Sequence, residues 1–273
     1  MLLRGCVTLI VIVVSSSLPA QGLKISTHVF EVTKTDSPEP DRIISSSLSL
    51  CHNGRVYDSI DAADEVVIFD PVERRFTILN RSRGLATTLS FDEIRQLLET
   101  RQPKTDEYIR ELTASRRPSA EKIVESIRFQ LHPKFSETFD PMKGTLILSS
   151  RSLTYRVETR KWNDPQQVER YLACTDWTAK LNSIMHPSSL FPEPRMALNE
   201  SLRKLRDRMP VSVELDLRPD EQFRLRAEHK LTQNLSDDDH ARIARWEESA
   251  TSDDMKQVSF RTYQQSVLVS QSR

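Results

Sequence analysis

The chain is poor in glycine, with only five glycines in 273 residues. They are all far apart in the sequence: Gly5, Gly22, Gly54, Gly84 and Gly144. Gly-rich phosphate loops and the Gly-x-Ser-x-Gly nucleophile elbow need closely spaced glycines, because these let several backbone N–H groups converge on one point. The sequence therefore excludes these nucleotide-binding and hydrolase motifs.

The chain also lacks an excess of charge of either sign. It carries 39 basic and 39 acidic residues. They are interleaved along most of its length, so no basic face for phosphate binding is indicated. The six histidines form neither His-Glu-x-x-His nor another close ligand pair, which leaves zinc without support. We therefore predict no nucleic-acid partner, no metal and no cofactor.

Two polar features have an ordinary structural explanation. The acidic stretch Asp58, Asp61, Asp64 and Glu65 lacks the glycine and the spacing of an EF-hand calcium loop. A solvated turn between strands is the favoured interpretation. His229 falls on the apolar face of a predicted strand. A histidine there could line a pocket, but the sequence favours a satisfied core or rim histidine.

Long apolar runs are missing apart from one at the N terminus. Residues 6–14 form an almost unbroken apolar run, which Arg4 precedes and Ala20 follows. This arrangement is typical of a secretory signal peptide, and the run is too short for a membrane span, which needs about 20 residues. We therefore predict a signal peptide over residues 1–20, export to the periplasm or the extracellular space, and no integral membrane segment afterwards.

Cysteine is scarce as well. After removal of the signal peptide, only Cys51 and Cys174 remain. In an exported protein this pair could form a disulfide, whereas the alternative is two buried thiols. Cys174 shares a helical stripe with Tyr171 and Trp177, which is typical of a core residue. Both interpretations of the pair stay open at the level of the sequence.

The residues that follow the signal peptide predict a β-meander. Alternating segments between residues 25 and 90 are separated by turn signals at short intervals. The strongest signal is Asn53-Gly54, because a type I′ hairpin turn needs positive φ at both central residues. VVIFD and RFTILN, joined by a turn that begins at Asp70-Pro71, form the next hairpin. Strands at this spacing favour a curved antiparallel sheet.

Helices alternate with further hairpins in the rest of the chain. Ser90 and Glu93 form a capping box, and Asp164 caps a helix that should run to about Met185. IRFQL (127–131) is predicted to be a strand. The segments VSVELDLR and FRLRAEHKL alternate strictly, and their hairpin should pair two opposite charges on each polar rung: Glu214 with Arg226, and Asp216 with Arg224.

The order of these elements gives the fold class and the domain limits. A β-meander is followed by later hairpins, with helices between them, and no shift in composition marks a boundary. We therefore predict a single α+β domain over residues 21–252, in which helices cover an antiparallel curved sheet or half-barrel. Residues 253–273 are predicted to form a C-terminal tail.

Two segments carry a resemblance to known proteins. RVYDSIDAADEVVIFDPVERRFTILN and DWTAKLNSIMHPSSLFPEPRMALNESL resemble segments of a family of uncharacterised exported bacterial proteins. The element order also resembles that of the outer-membrane lipoprotein carrier superfamily, although those carriers typically begin with a helix. That resemblance implies a half-open antiparallel barrel lidded by helices, which holds acyl chains in its cavity. It transfers no individual residue, since fold does not fix function.

Three classes of function are compatible with the sequence. The first is a binding or carrier protein of the cell envelope, whose partner is a lipid or another hydrophobic ligand. The second is a structural or interaction protein with a packed core and an envelope protein as partner. The third is a hydrolase assembled from distant residues, but the sequence favours a protein that is not an enzyme. The predicted apolar cavity face comprises Phe69, Phe76, Ile78, Phe223 and Leu225, for which ordinary core packing is the alternative.

Overall fold

The computed structural model describes five stretches of the chain: 22–32, 41–115, 117–186, 189–217 and 224–271. The predicted signal peptide and Phe223 lie outside these stretches and remain predictions. Among the described residues, no helix is both long enough and apolar enough to cross a membrane.

The frame of the fold is one open, curved sheet, to which the described residues contribute twelve strands. Numbered along the chain, the strands are β1 (Leu23–Glu31), β2 (Arg42–His52), β3 (Arg55–Ile60), β4 (Glu65–Asp70), β5 (Arg75–Asn80), β6 (Leu85–Ser90), β7 (Ser136–Asp140), β8 (Thr145–Ser149), β9 (Leu153–Lys161), β10 (Arg208–Leu217), β11 (Arg224–Gln233) and β12 (Lys256–Gln257). Across the sheet their order is β12-β6-β5-β4-β3-β2-β1-β11-β10-β9-β8-β7. Neighbouring strands are antiparallel except for β12 and β6.

Six helices complete the described part of the chain: α1 (Phe91–Ser115), α2 (Pro118–Leu131), α3 (Pro165–Met185), α4 (Glu193–Lys204), α5 (Asp237–Thr251) and α6 (Phe260–Gln271). Together with the curved, unclosed sheet they confirm the predicted α+β class. The capping predictions are also confirmed. The Ser90 hydroxyl accepts from the Glu93 N–H at 3.2 Å, and the Asp164 carboxylate accepts from two backbone N–H groups at the start of α3.

The local hairpin predictions agree with the structure as well. Asn53 and Gly54 have φ values of 48° and 81°, which is the positive φ at both central residues that a type I′ turn requires. In the later hairpin, Glu214 lies opposite Arg226 and Asp216 lies opposite Arg224, as predicted. Charge alternation thus predicted the register of this pair of strands correctly.

Two local predictions differ from the structure. IRFQL belongs to helix α2, not to a strand. The two buried side chains of this helix, Ala120 and Val124, lie one helical turn apart. The alternation of Ile127, Phe129 and Leu131 is short enough to fit either structure. Helix α1 also continues through Pro103, although a proline inside a helix usually interrupts it. A proline removes one N–H donor, and the neighbouring turns of a 25-residue helix tolerate that loss.

The C-terminal segment is part of the fold, whereas the sequence predicts only a tail there. Strand β12 pairs with β6, and Tyr263 of α6 is completely buried. The Tyr263 hydroxyl donates a hydrogen bond to the carboxylate of Glu65 in β4. The two-residue strand and the weak apolar pattern of α6 explain why the sequence alone did not indicate this packing.

The sheet carries helices on both faces. On β4, Phe69 packs with Ile184 of helix α3, whereas the adjacent Ile68 packs with Trp246 of helix α5. Successive side chains of a strand point to opposite faces, so the two helices lie on opposite sides. We call these two surfaces the α3 face and the α5 face of the sheet.

Candidate functional site

A cavity of about 500 Å³ lies between the α3 face of the sheet and helix α3. Its floor is formed by side chains of the central strands β1, β2, β3 and β11: Ile25, Thr27, Ser47, Ser49, Cys51, Val56, Asp58, Ala227 and His229. Its roof is one side of α3: Tyr171, Cys174, Thr175, Thr178, Ala179 and Asn182. Tyr155 and the segment from Ser189 to Arg195 close the sides. We call this space the α3 cavity.

The cavity exists because side-chain size changes across the sheet. On β4 and β5, large residues such as Phe69 and Phe76 fill the space below α3 and are buried. On β1 and β2, the same face carries Thr27, Ser47 and Ser49. These small side chains do not reach the helix, and close packing is lost there. A roomy, mostly apolar chamber with a few polar groups on its floor results.

His229 is one of these floor groups. Its ring Nδ1 lies 2.9 Å from the Thr27 hydroxyl, and the edge of the Tyr171 ring faces it at a centroid distance of 6.4 Å. Burial, with a smaller contribution from the positive charge of Arg195, lowers the pKa of His229 to about 4. The imidazole is therefore neutral at neutral pH and can donate one hydrogen bond and accept another.

Asp58 is the acidic group of the floor. The Ser49 hydroxyl donates to its carboxylate at 2.7 Å. Burial raises the pKa of Asp58, while hydrogen bonds from Ser49 and Ser47 oppose that rise. Among the described residues, no cation pairs with Asp58. The sequence predicted a solvated turn here, but Asp58 is a strand residue whose side chain points into the cavity.

Arg195 is the basic group at the rim. It lies in the first turn of α4, is half-buried and lines the cavity. Its guanidinium is within hydrogen-bonding reach of the Tyr171 hydroxyl. Burial raises the pKa of Tyr155 to about 12 and raises that of Tyr171, and the charge of Arg195 opposes both shifts. Arg195 therefore acts electrostatically on the whole aromatic end of the cavity.

The two cysteines meet at this cavity, Cys51 on the floor and Cys174 on the roof. Both are free thiols in the structure. Burial raises the pKa of Cys51 to about 12 and raises the pKa of Cys174 further. The structure therefore shows two neutral thiols that face a shared space, and the disulfide between them remains a prediction.

The described residues of the predicted apolar cavity face do not line the α3 cavity. Phe69, Phe76 and Ile78 do point to the α3 face, but they pack in a core cluster with Phe91 and Trp177. The rings of Phe91 and Trp177 stack with centroids 3.8 Å apart. Leu225 lies opposite Leu215 in the β10–β11 hairpin. None of these four described residues lines the α3 cavity. Phe69, Phe76 and Ile78 are buried core residues, whereas Leu225 is half-buried.

Four groups of the cavity stand out in the sequence: His229, Asp58, Cys51 and Cys174. The sequence favoured a core or rim role for His229 and a solvated turn for Asp58, and left the two cysteines open. It did not single out Ser47, Ser49, Thr27 or Arg195. The available signal was the run of serines in β2, since small polar side chains on a strand covered by a helix leave space that larger residues would fill. Which strand lies below which helix depends on the topology, and no short segment of the sequence predicts it.

The contacts in the cavity do not form a known catalytic arrangement. A hydrolytic triad joins a serine to a histidine and the histidine to an acid. Here the described contacts join Ser49 to Asp58 and Thr27 to His229. Among the described residues, no cluster of His, Cys, Asp and Glu is suited to hold a metal ion. The arrangement is a mostly apolar cavity with a few separate polar groups.

Comparison with known proteins does not assign a function to this cavity. No protein-family model matches the chain, and a search of curated proteins gives no match. The functional argument therefore depends on the cavity itself.

Proposed function

We propose that this protein is an exported binding or carrier protein of the cell envelope, which holds a hydrophobic ligand in the α3 cavity. The observation that carries this proposal is the cavity itself. Its volume of about 500 Å³ falls in the range of small-molecule sites, which is about 300–1,000 Å³. A mostly apolar lining with a few separate polar groups is also typical of such sites.

The alternative of a structural protein with a fully packed core has less support. Helix α3 packs closely in two places: on β4 and β5, where aromatic side chains fill the space, and in the core cluster that holds Val168 and Leu172. The α3 cavity is the part of the space below α3 that neither cluster fills. A chamber of this size costs stability relative to a packed core, because its lining lacks the contacts that neighbouring side chains would supply. A ligand that fills the chamber would supply those contacts and stabilise the folded protein through its binding free energy.

The proposal is tested by binding and by filling the cavity. Protein purified from its exported compartment is examined by native mass spectrometry, and the purified protein is then titrated with the neutral apolar dye N-phenyl-1-naphthylamine. We expect a co-purifying apolar species or saturable dye binding. Ala179→Phe should abolish dye binding, because Ala179 lines the roof of the cavity.

Gln166→Phe is the matched control, since it places the same side chain on an exposed position of the same helix. This variant should bind the dye like the original protein. Absence of any bound species, together with absence of dye binding, would leave the packed-core interaction protein as the better explanation.

A further inference from the structure

Arg195 is held at the cavity without a carboxylate partner. Among the described residues, no Asp or Glu forms an ion pair with it, although it lines the chamber and is half-buried. Arg203, two turns later on the same helix, shows the usual arrangement. Its guanidinium bonds Glu169 at 3.0 Å and Asp176 at 2.6 Å. The contrast within one helix singles out Arg195 as a cation whose counter-charge is not supplied by its neighbours.

The surroundings of Arg195 make an unpaired cation costly. The groups closest to it in electrostatic terms are Tyr155, Tyr171 and His229. All three are neutral at neutral pH, and much of the remaining lining is apolar. A charge that loses water without gaining a counter-charge destabilises the fold. A negatively charged ligand group at this position would remove that cost and would gain charge-assisted hydrogen bonds.

The acid of the cavity does not take this role. Asp58 is engaged by Ser49 at 2.7 Å, with Ser47 within reach, and Arg195 is not among the groups that act on its ionisation. The basic group and the acidic group of the cavity therefore have separate partners. Most of the lining around them is apolar, so a ligand that fills the cavity and reaches Arg195 would be amphiphilic.

We propose that the ligand of the α3 cavity carries a carboxylate or a similar anionic head group, which binds Arg195 at the rim while an apolar chain lies below helix α3. The planar guanidinium offers two parallel N–H donors to a carboxylate. The Tyr171 hydroxyl lies within hydrogen-bonding reach of this guanidinium, and the His229 ring contacts the Tyr171 ring edge-on. This inference rests on the proposed function, because it names the chemical class of the ligand for the same cavity.

The test compares three ligands with the same chain and different head groups. The purified protein is first loaded with N-phenyl-1-naphthylamine. Each of the three compounds, dodecanoate, dodecanol and dodecylammonium, is then titrated in, and displacement of the dye is measured. We expect dodecanoate to displace the dye at a concentration about tenfold lower than dodecanol does, because only dodecanoate can form a charge-assisted pair with Arg195. Arg195→Gln should remove this preference, so that dodecanoate and dodecanol displace the dye at similar concentrations.

Arg203→Gln is the control, because it makes the same substitution on the same helix away from the cavity. It should keep the preference for dodecanoate. Saturable dye binding by Arg195→Gln shows that its cavity is still folded. Equal displacement by dodecanoate and dodecanol in the original protein would overturn the inference and leave the proposed function standing, and so would preference for dodecylammonium. Failure of the dye to bind at all would instead count against the proposed function.

Discussion

Thr27 and His229 lie 202 positions apart in the chain, yet the Thr27 hydroxyl is 2.9 Å from the His229 ring. The contact crosses the junction between β1 and β11, where the N-terminal and C-terminal parts of the sheet meet. It fixes the position of a histidine inside the cavity, where burial lowers the pKa of the imidazole and keeps it neutral. Acid should therefore destabilise the protein at this junction.

We predict that acid destabilises the protein through His229. Its pKa is about 4 in the folded protein, whereas an unperturbed histidine side chain has a pKa of 6.5. Between these values the unfolded chain binds more protons, so the free energy of unfolding falls as the pH is lowered from about 6.5 to 4. The loss is roughly 3 kcal/mol at most. Urea unfolding at a series of pH values measures it.

His229→Gln should flatten this part of the pH profile, because glutamine does not titrate. His28→Gln is the control, since His28 is exposed on the neighbouring strand. A profile for His229→Gln that is as steep as the original would show that other groups cause the acid loss.

The hydrogen bond between Tyr263 and Glu65 should stabilise the C-terminal segment against the sheet. Tyr263→Phe leaves a buried carboxyl without its donor, which costs about 1–3 kcal/mol. Tyr108→Phe makes the same change at an exposed position of α1 and should have no measurable effect. Denaturant unfolding compares the two variants.

Deletion of residues 253–273 should lower the free energy of unfolding more than Tyr263→Phe does, because it uncovers core residues in two clusters.

Two glycines with positive φ should differ in their tolerance of alanine. Gly54 and Gly144 have φ of 81° and 68°, so a side chain is strained at either position, by about 1 kcal/mol. A Cβ at Gly54 would meet nothing within 4 Å, whereas at Gly144 it would lie 2.6 Å from the Thr159 carbonyl oxygen. Gly144→Ala should therefore lower the midpoint of thermal unfolding clearly more than Gly54→Ala. Equal shifts would show that φ strain alone sets the cost.

Both cavity thiols should react slowly. A thiol reacts as its thiolate, and burial raises the pKa of Cys51 to about 12 and that of Cys174 further. At pH 8 we expect iodoacetamide to modify the folded protein far more slowly than the urea-unfolded protein, as mass spectrometry can measure. An intact mass lower by two hydrogens, with no alkylation even after unfolding, would instead show the disulfide predicted from the sequence.

The same raised pKa values have a consequence at alkaline pH. The stabilising effect of the neutral thiols is complete below the unfolded pKa, near 9. Above that pH only the unfolded chain ionises, so the free energy of unfolding should fall. Replacement of Cys174 by alanine should reduce this alkaline loss. An unchanged alkaline slope in that variant would assign the loss to other groups.

Local sequence patterns predicted turns, caps and strand register well, but they did not predict where the tertiary fold leaves a cavity. The Asn53-Gly54 turn, the cap at Asp164 and the register of Glu214 with Arg226 each depend on residues that are close in sequence or directly paired. The position of Phe69 depends on what helix α3 places above it, and alternation alone says only that its side chain is on an apolar face. For the same reason the sequence pointed to the large residues as the cavity lining, whereas the cavity formed above the small ones.

The strand order also bears on how the chain can fold. Strand β1 is next to β2 on one side and next to β11 on the other, so the middle of the sheet joins residues near the two ends of the chain. The junction cannot close until residue 233 is available. Contacts at such sequence separation make folding slow, because the entropy of closing a long loop is lost before they form. During synthesis, the chain therefore remains without the central junction of its sheet until late, which would suit the proposed export, since an exported chain crosses a membrane before it folds.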